Sequence, residues 1–442
     1  MQLVENRKWP DCFPTFGPLC VCGEPFRCMI HVVRVMVSAS SFFPTIFRFA
    51  PSWHKAAITR ADIPPKRISE FHRHSNMIVA WKPIMAASAA AASALFAAVL
   101  DCNPKLFLYD RLFYDPSNSY RGKSVWIVGS SSGIGNEMAV QLARLKCQTL
   151  ILSSRNEQAL DELKRQCQEV HSSCECVCIP MDVTDEKRMN DAVNLVHERH
   201  PSLDMVVLNA GAGQLSPGLE TAPEVVQGIM QANAIWPMIF LPMLLNRTKD
   251  EASIRQSPII SFCNKAITPR IVVTSSIAAL IPVPLSTAYA AAKAAVQQYF
   301  LSIATERPDL TIDLVCPGPI DTNFHSNHIG KKGNPVDKQE FPNSQPIEVQ
   351  SSGKKSPLKM PVERCAHLML AAAAMSHKGG VSESWIVKQP TLTALYLNQW
   401  APGLLRPFLG KVGTKRIQIW RDGLDLYDPL SWSNPASPRK RG

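Results

Sequence analysis

What this chain of 442 residues lacks narrows its class first. Its 13 cysteines form no CxxC pair, so a zinc ribbon or a thioredoxin-type redox motif is unsupported. Cys174, Cys176 and Cys178 alternate, which on an extended segment puts them on one face; they read as small core hydrophobes, with a metal site as the lesser alternative. Charged residues are sparse at 19% and apolar residues reach 46%, which excludes a disordered, collagen-like or coiled-coil chain. The net charge of +11 sits largely at the ends: residues 1–76 hold ten Lys/Arg against five Asp/Glu, and Arg439, Lys440 and Arg441 close the chain. With no aromatic-basic platform elsewhere, nucleic acid is not an expected partner.

Residues 1–76 carry no sustained period of two or 3.6 and read as a targeting region, a tail or a start-codon artefact, with Met77 as an alternative start. Within 77–101, the apolar run Ile84–Leu100 is at the lower edge of bilayer-spanning length. It is read as a membrane anchor, with a cleaved signal segment or a soluble helix as alternatives. Residues 115–430 read as one folded domain, 330–430 being a polar loop and a C-terminal extension, and 431–442 as a basic tail.

From Gly122 onward, strand-like runs at Ser124–Val128, Thr149–Ser153, Cys176–Met181, Met205–Leu208, Ile271–Thr274 and Thr311–Val315 alternate with helical segments. This spacing predicts an α/β fold, a parallel sheet with helices on both faces, plus a C-terminal helical extension and an N-terminal apolar anchor.

The first chemical motif is Gly129, Ser130, Ser131, Ser132, Gly133, Ile134, Gly135, between a strand and a helix. Glycines there permit a tight turn and close backbone approach to a pyrophosphate at the helix N-terminus. Ser153, Ser154 and Arg155 end the second strand with no acid to hold an adenosine ribose, and a guanidinium suits a 2′-phosphate, so the expected cofactor is NADP(H). Asp182 and the Val183 amide can read an adenine edge, although Asp is also a common helix cap. Tyr289 and Lys293 are four apart, on one face of a helix, where an ammonium lowers a phenol toward the working pH. Ser276 ends the fifth strand, and Asn209, Ala210, Gly211 follow the fourth.

In this order and context the motifs resemble the short-chain dehydrogenase/reductase (SDR) superfamily, over about Gly122–Phe324. The resemblance implies a Rossmann-type, doubly wound parallel sheet and hydride transfer between a nicotinamide and a carbonyl or alcohol carbon. It implies Tyr289 as proton donor or acceptor, Lys293 as its pKa-lowering partner and ribose ligand, and Ser276 as the hydroxyl that positions the substrate oxygen. It further implies Asn233 as a support of Lys293 through a water relay, Asn209 as a structural residue of the sheet centre, and Pro317, Gly318 and Thr322 as the cover of the nicotinamide. Val128 departs from the family's usual Thr, and the 246–269 stretch is longer than the family norm. Arg364–Leu370, Gln389-Pro390, Tyr396–Trp400 and Gly413–Ile417 resemble a membrane-associated subgroup, which implies the endoplasmic reticulum membrane and a hydrophobic carbonyl or alcohol such as a retinoid or steroid. A long-chain (3-ketosphingoid-type) ketone reductase and a non-catalytic NADP-binding scaffold are the rival readings, and a homodimer is allowed.

Overall fold

The computed structural model describes residues 96–245, 269–324, 328–330, 356–375 and 379–433. The expectations placed on residues 1–76, on most of the 77–101 run, on the long 246–269 stretch, on most of the 330–358 loop and on the terminal basic residues lie outside these.

Seven parallel strands form one sheet. They are β1 (Ser124–Val128), β2 (Thr149–Ser154), β3 (Glu175–Pro180), β4 (Met205–Leu208), β5 (Arg270–Thr274), β6 (Thr311–Pro317) and β9 (Gly380–Ile386), in the order β3-β2-β1-β4-β5-β6-β9. A two-residue pair, β7 (Ile320–Asp321) with β8 (Met360–Pro361), lies apart from it. Chain order reverses between β1 and β4, which opens a crevice at the carboxyl ends of the strands.

Period-two side-chain alternation divides the core. Val125 and Ile127 of β1, with Met205 and Val207 of β4, face one layer, while Trp126, Val128, Val206 and Leu208 face the other. The first layer holds α1 (Pro104–Leu112), α3 (Gly133–Arg144), α4 (Glu157–Val170) and α9 (Val362–Met375), with the short α2 (Pro116–Tyr120) beside α9. The second holds α5 (Glu186–Arg199), α7 (Trp236–Leu245) and α8 (Thr287–Glu306); α6 (Pro223–Met230) leads into α7 through a π-turn at Gln231–Ile235. Pro223–Leu245 is long and apolar enough to cross a membrane by length and composition, but Trp236, Phe240, Leu241 and Leu244 are buried in this layer. The extension folds as α10 (Thr391–Trp400), α11 (Pro402–Arg421) and α12 (Pro429–Ser433).

Three local features differ from the sequence reading. β9 was not expected: Gly380-Val-Ser-Glu-Ser-Trp-Ile alternates too weakly to read as a strand, yet it pairs with β6 over seven residues. Trp385, within the stretch read only as a loop and C-terminal extension, lies near the end of β9 in the core. The packed body also reaches back before residue 115. Arg364 of α9 bonds Asp101 (Nε to Oδ2, 2.8 Å) and Asp110 (Nη1 to Oδ2, 2.9 Å), and His367 Nε2 is 2.6 Å from Asp110 Oδ1. These two partners hold the Asp110 carboxyl below its usual range although burial pushes the other way. Cys174 and Cys176 are buried with their sulfurs 3.9 Å apart, and no group of three metal-ligating side chains occurs among the described residues.

Candidate active site

The loop after β1 is built for close backbone approach. Gly129 has φ +91°, and a Cβ there would lie 2.5 Å from the Ala210 nitrogen. Gly135 is packed so tightly under the loop that a Cβ would lie 2.2 Å from the Gly129 oxygen, so it shapes the turn from beneath and does not line the cavity. Ser132 caps α3 without a side-chain hydrogen bond, and the first turn holds no acid. The helix therefore presents its positive end to the cavity wall formed by Gly129, Ser131, Ser132, Gly133 and Ile134. An anionic dinucleotide fits this cradle, because a helix N-terminus with no capping side chain and no acid in its first turn lines the cavity.

One cavity of about 1060 Å³ runs from this loop across the sheet's carboxyl edge. Arg155, exposed at the end of β2, lines one extremity together with Asp182 and Val183. Asp182 Oδ1 also accepts bonds from the Thr184 amide (2.9 Å) and hydroxyl (2.8 Å), so it shapes its own turn. Asn209, Ala210 and Gly211 form the middle of the wall. Asn209 ties three elements together: its Nδ2 donates to Gly129 O (2.8 Å), and its Oδ1 accepts from Thr274 Oγ1 (3.1 Å). Pro317, Gly318 and Thr322 close the opposite wall, and the space at Gly318 is so tight that a Cβ would meet Val387 at 2.4 Å.

Tyr289, Lys293, Ser276 and Asn233 line the same cavity. The Lys293 ammonium donates to Thr274 O (2.8 Å) and lies 5.8 Å from the Tyr289 ring centroid. Burial acts on the phenol in the direction opposite to that expected of the Lys293 ammonium. Burial pushes Tyr289 up to about 12, and a hydrogen bond with Ser276 opposes the rise without cancelling it. Lys293 is itself pushed down to about 8 by burial. Lys293 is buried and Tyr289 half-buried against the cavity, and the ammonium is directed at a carbonyl rather than at the phenol. Asn233 sits in the π-turn, where its Nδ2 donates to Ala212 O (2.8 Å) and Ile229 O (2.9 Å), and its Oδ1 accepts from Ala212 N (3.2 Å). Its side chain therefore fixes the strand-end loop and makes no direct bond to Lys293.

Several cavity residues carried no motif to reveal them. Gln214 is buried, and its Oε1 accepts from the backbone N–H of Ala288 (2.9 Å) and Tyr289 (3.3 Å), fixing the first turn of α8. Its Nε2 donates to Ser216 Oγ (3.1 Å) and Thr221 Oγ1 (3.0 Å). Phe324 stands 6.0 Å from the Tyr289 ring and 5.4 Å from His328. Burial, helped by the charges of Arg416 and Lys359, pushes His328 down to about 4, so it is neutral at physiological pH. The C-terminal extension supplies Phe408, Leu409, Val412 and Arg416 to the wall. Only the proximity of Gln214 to the Asn209–Gly211 run in sequence could have marked it.

Comparisons with known proteins agree with this geometry. A family profile described as short chain dehydrogenase matches residues 123–332. The human protein described as dehydrogenase/reductase SDR family member 7 is 30% identical over 310 residues, which are 68% of this chain and 80% of the human one. The Bos taurus protein described as dehydrogenase/reductase SDR family member 7B is 26% identical over 325 residues, 71% of this chain and 88% of the bovine one. Among solved structures, an alcohol dehydrogenase from the archaeon Thermococcus sibiricus, complexed with 5-hydroxy-NADP, superposes with a TM-score of 0.46 at 19% identity, covering 60% of this chain and 97% of that one. The chain belongs to the short-chain dehydrogenase/reductase superfamily and is an NAD(P)-dependent oxidoreductase of that type.

Proposed function

We propose that this enzyme is an NADPH-dependent carbonyl reductase for a hydrophobic substrate, such as a retinoid, a steroid or a lipid-like ketone, working at the surface of the endoplasmic reticulum membrane. The observation that carries the reading is the cavity itself: Tyr289 and Ser276 face a substrate half walled by Ile281, Val283, Phe324, Leu409 and Val412. Arg155, at the place where an acid would favour NAD, supports the 2′-phosphorylated cofactor.

The backbone N–H groups at the start of α3, with Arg155, would hold the phosphates, and Asn209–Gly211 with Pro317, Gly318 and Thr322 would flank the nicotinamide, which when bound supplies hydride to the carbonyl carbon. Tyr289 holds its proton at neutral pH because burial raises it to about 12, the right form for a donor to the carbonyl oxygen. Ser276 adds a hydroxyl beside that phenol, positioning the oxygen and stabilising its developing charge. As the phenol gives up its proton, the cationic Lys293 nearby stabilises the phenolate left behind. Apolar walls exclude water from the reacting carbon.

Membrane association rests on the extension. Trp400, Leu404 and Phe408 are 84%, 76% and 60% exposed. Leu404 and Phe408 border a second groove with Ala97 and Ala98, the last part of the apolar run that began at Ile84. Gln389, Pro390, Ala394 and Phe408 line both this groove and the main cavity, so an apolar substrate leaving a bilayer meets the site directly. The exposed Arg406 and Lys411 suit an anionic lipid surface.

The test is NADPH oxidation by membranes bearing the protein, across retinal, a ketosteroid, a long-chain 3-ketone and a short polar aldehyde. Preference for the apolar members supports the reading, and preference for the short polar aldehyde contradicts it. Flotation with phosphatidylserine vesicles tests the surface: Trp400→Glu combined with Leu404→Glu should weaken it, and unchanged flotation would refute the role of α10 and α11.

A further inference from the structure

The substrate half of the cavity carries two cations that the reaction does not use: Lys388, whose ammonium donates to Pro357 O and Lys359 O, and Arg416. α11 presents Phe408, Leu409 and Val412 to the cavity, and then Arg416 at the same helical spacing. At 1.5 Å rise per residue, Arg416 lies about 12 Å along the helix from Phe408. Its guanidinium stacks over the Tyr427 ring (5.6 Å to the centroid), and its Nε is buried with no hydrogen-bond acceptor. No ion pair to Arg416 occurs among the described residues, and Asp182, at the adenine end, is the only carboxylate in the cavity wall. Arg416 and Tyr427 line the same cavity as Tyr289, so Arg416 belongs to the reaction chamber and not to a remote surface. His328 lines the same cavity and, neutral or protonated, supplies no counter-charge.

Arg416 is only half-buried and lines the cavity with no carboxylate partner, and hydrogen bonds to charged groups are the strong ones, so an anionic ligand would supply the partner that the fold does not. From this arrangement we infer that the substrate is an amphiphile with an anionic group, a carboxylate or a comparable oxyanion, held by Arg416 while its apolar body lies along Phe408, Leu409 and Val412. The inference rests on the hydrophobic-carbonyl reading above and narrows its substrate class: oxo-acids are favoured over the corresponding neutral carbonyl compounds.

The test is equilibrium binding to the full chain, with hexanoate, octanoate and dodecanoate each compared with its methyl ester. Wild type should bind at least one acid about tenfold or more tightly than its ester. Arg416→Gln should close that gap, and Arg416→Lys, which keeps the charge, should retain part of it. Equal affinities for acid and ester in wild type, or a gap that persists in Arg416→Gln, overturn the anion site. Because the wild-type comparison needs no variant, a misfolded mutant does not blunt it. Binding is read without turnover, so failure here leaves the reductase reading standing, whereas failure of Tyr289-dependent reduction leaves the binding result intact.

Discussion

Gln214 Oε1 accepts the backbone N–H of Tyr289 at 3.3 Å and that of Ala288 at 2.9 Å, so a side chain 75 residues away in sequence fixes where the reactive phenol stands. Gln214 touches neither the phenol nor Ser276 by any bond found, which makes it a positioning residue. Gln214→Leu leaves two backbone donors and the hydroxyls of Ser216 and Thr221 with altered partners, each unsatisfied group costing about 1–3 kcal/mol. The expected result is a fall in kcat of about tenfold or more with little change in NADPH affinity. Gln214→Glu, which keeps the acceptor, should restore part of the rate. A Leu variant with wild-type kcat would remove the role.

The rate should depend on Lys293 in a definite direction. Its ammonium form is lost as pH rises through about 8, well below the ordinary lysine value, while Tyr289 keeps its proton up to about 12. Reductive kcat/KM should therefore be level at neutral pH and fall above about pH 8. Lys293→Arg, charged throughout, should show no such limb. A wild-type profile that rises through this range would contradict the assignment.

Cofactor choice hangs on the end of β2. Arg155→Asp places a carboxylate where a ribose hydroxyl would bind and removes the guanidinium, so the NADPH/NADH ratio of kcat/KM should drop by about tenfold or more. An unchanged ratio would mean that another side chain reads the phosphate.

The Asp110 carboxylate, 3% exposed, joins α1 to Arg364 and His367 of α9. Asp110→Ala leaves a half-buried guanidinium short of a partner and should cost about 3 kcal/mol in urea unfolding. None of these residues lines the cavity, so NADPH affinity should stay unchanged. A large loss of cofactor affinity at unchanged stability would show that the network serves the site instead.

Local pattern made much of this legible. Strands buried on both faces, such as Ser124–Val128, announce themselves as short apolar runs, and the glycine loop, Asn209, Ser276, Tyr289 and Lys293 carry spacings that survive inspection in one dimension. β9 escaped because its first half is polar: Ser382 donates to Asp313, and Gln297 donates to Glu383 (2.7 Å), contacts that exist only after β6 and α8 are in place. Gln214 and Arg416 escaped for the same reason, since each acquires its meaning from elements far away in the chain. The environment of Tyr289 is only half legible, because spacing conveys the presence of an ammonium but not the burial that acts against it.

The central claim is that Tyr289 supplies the proton, and single-turnover kinetics with Tyr289→Phe address it most directly. NADPH bound by the variant with an affinity close to that of wild type, but not oxidised by any carbonyl the wild type reduces, is the predicted result. Oxidation by the variant at the wild-type rate would contradict the account.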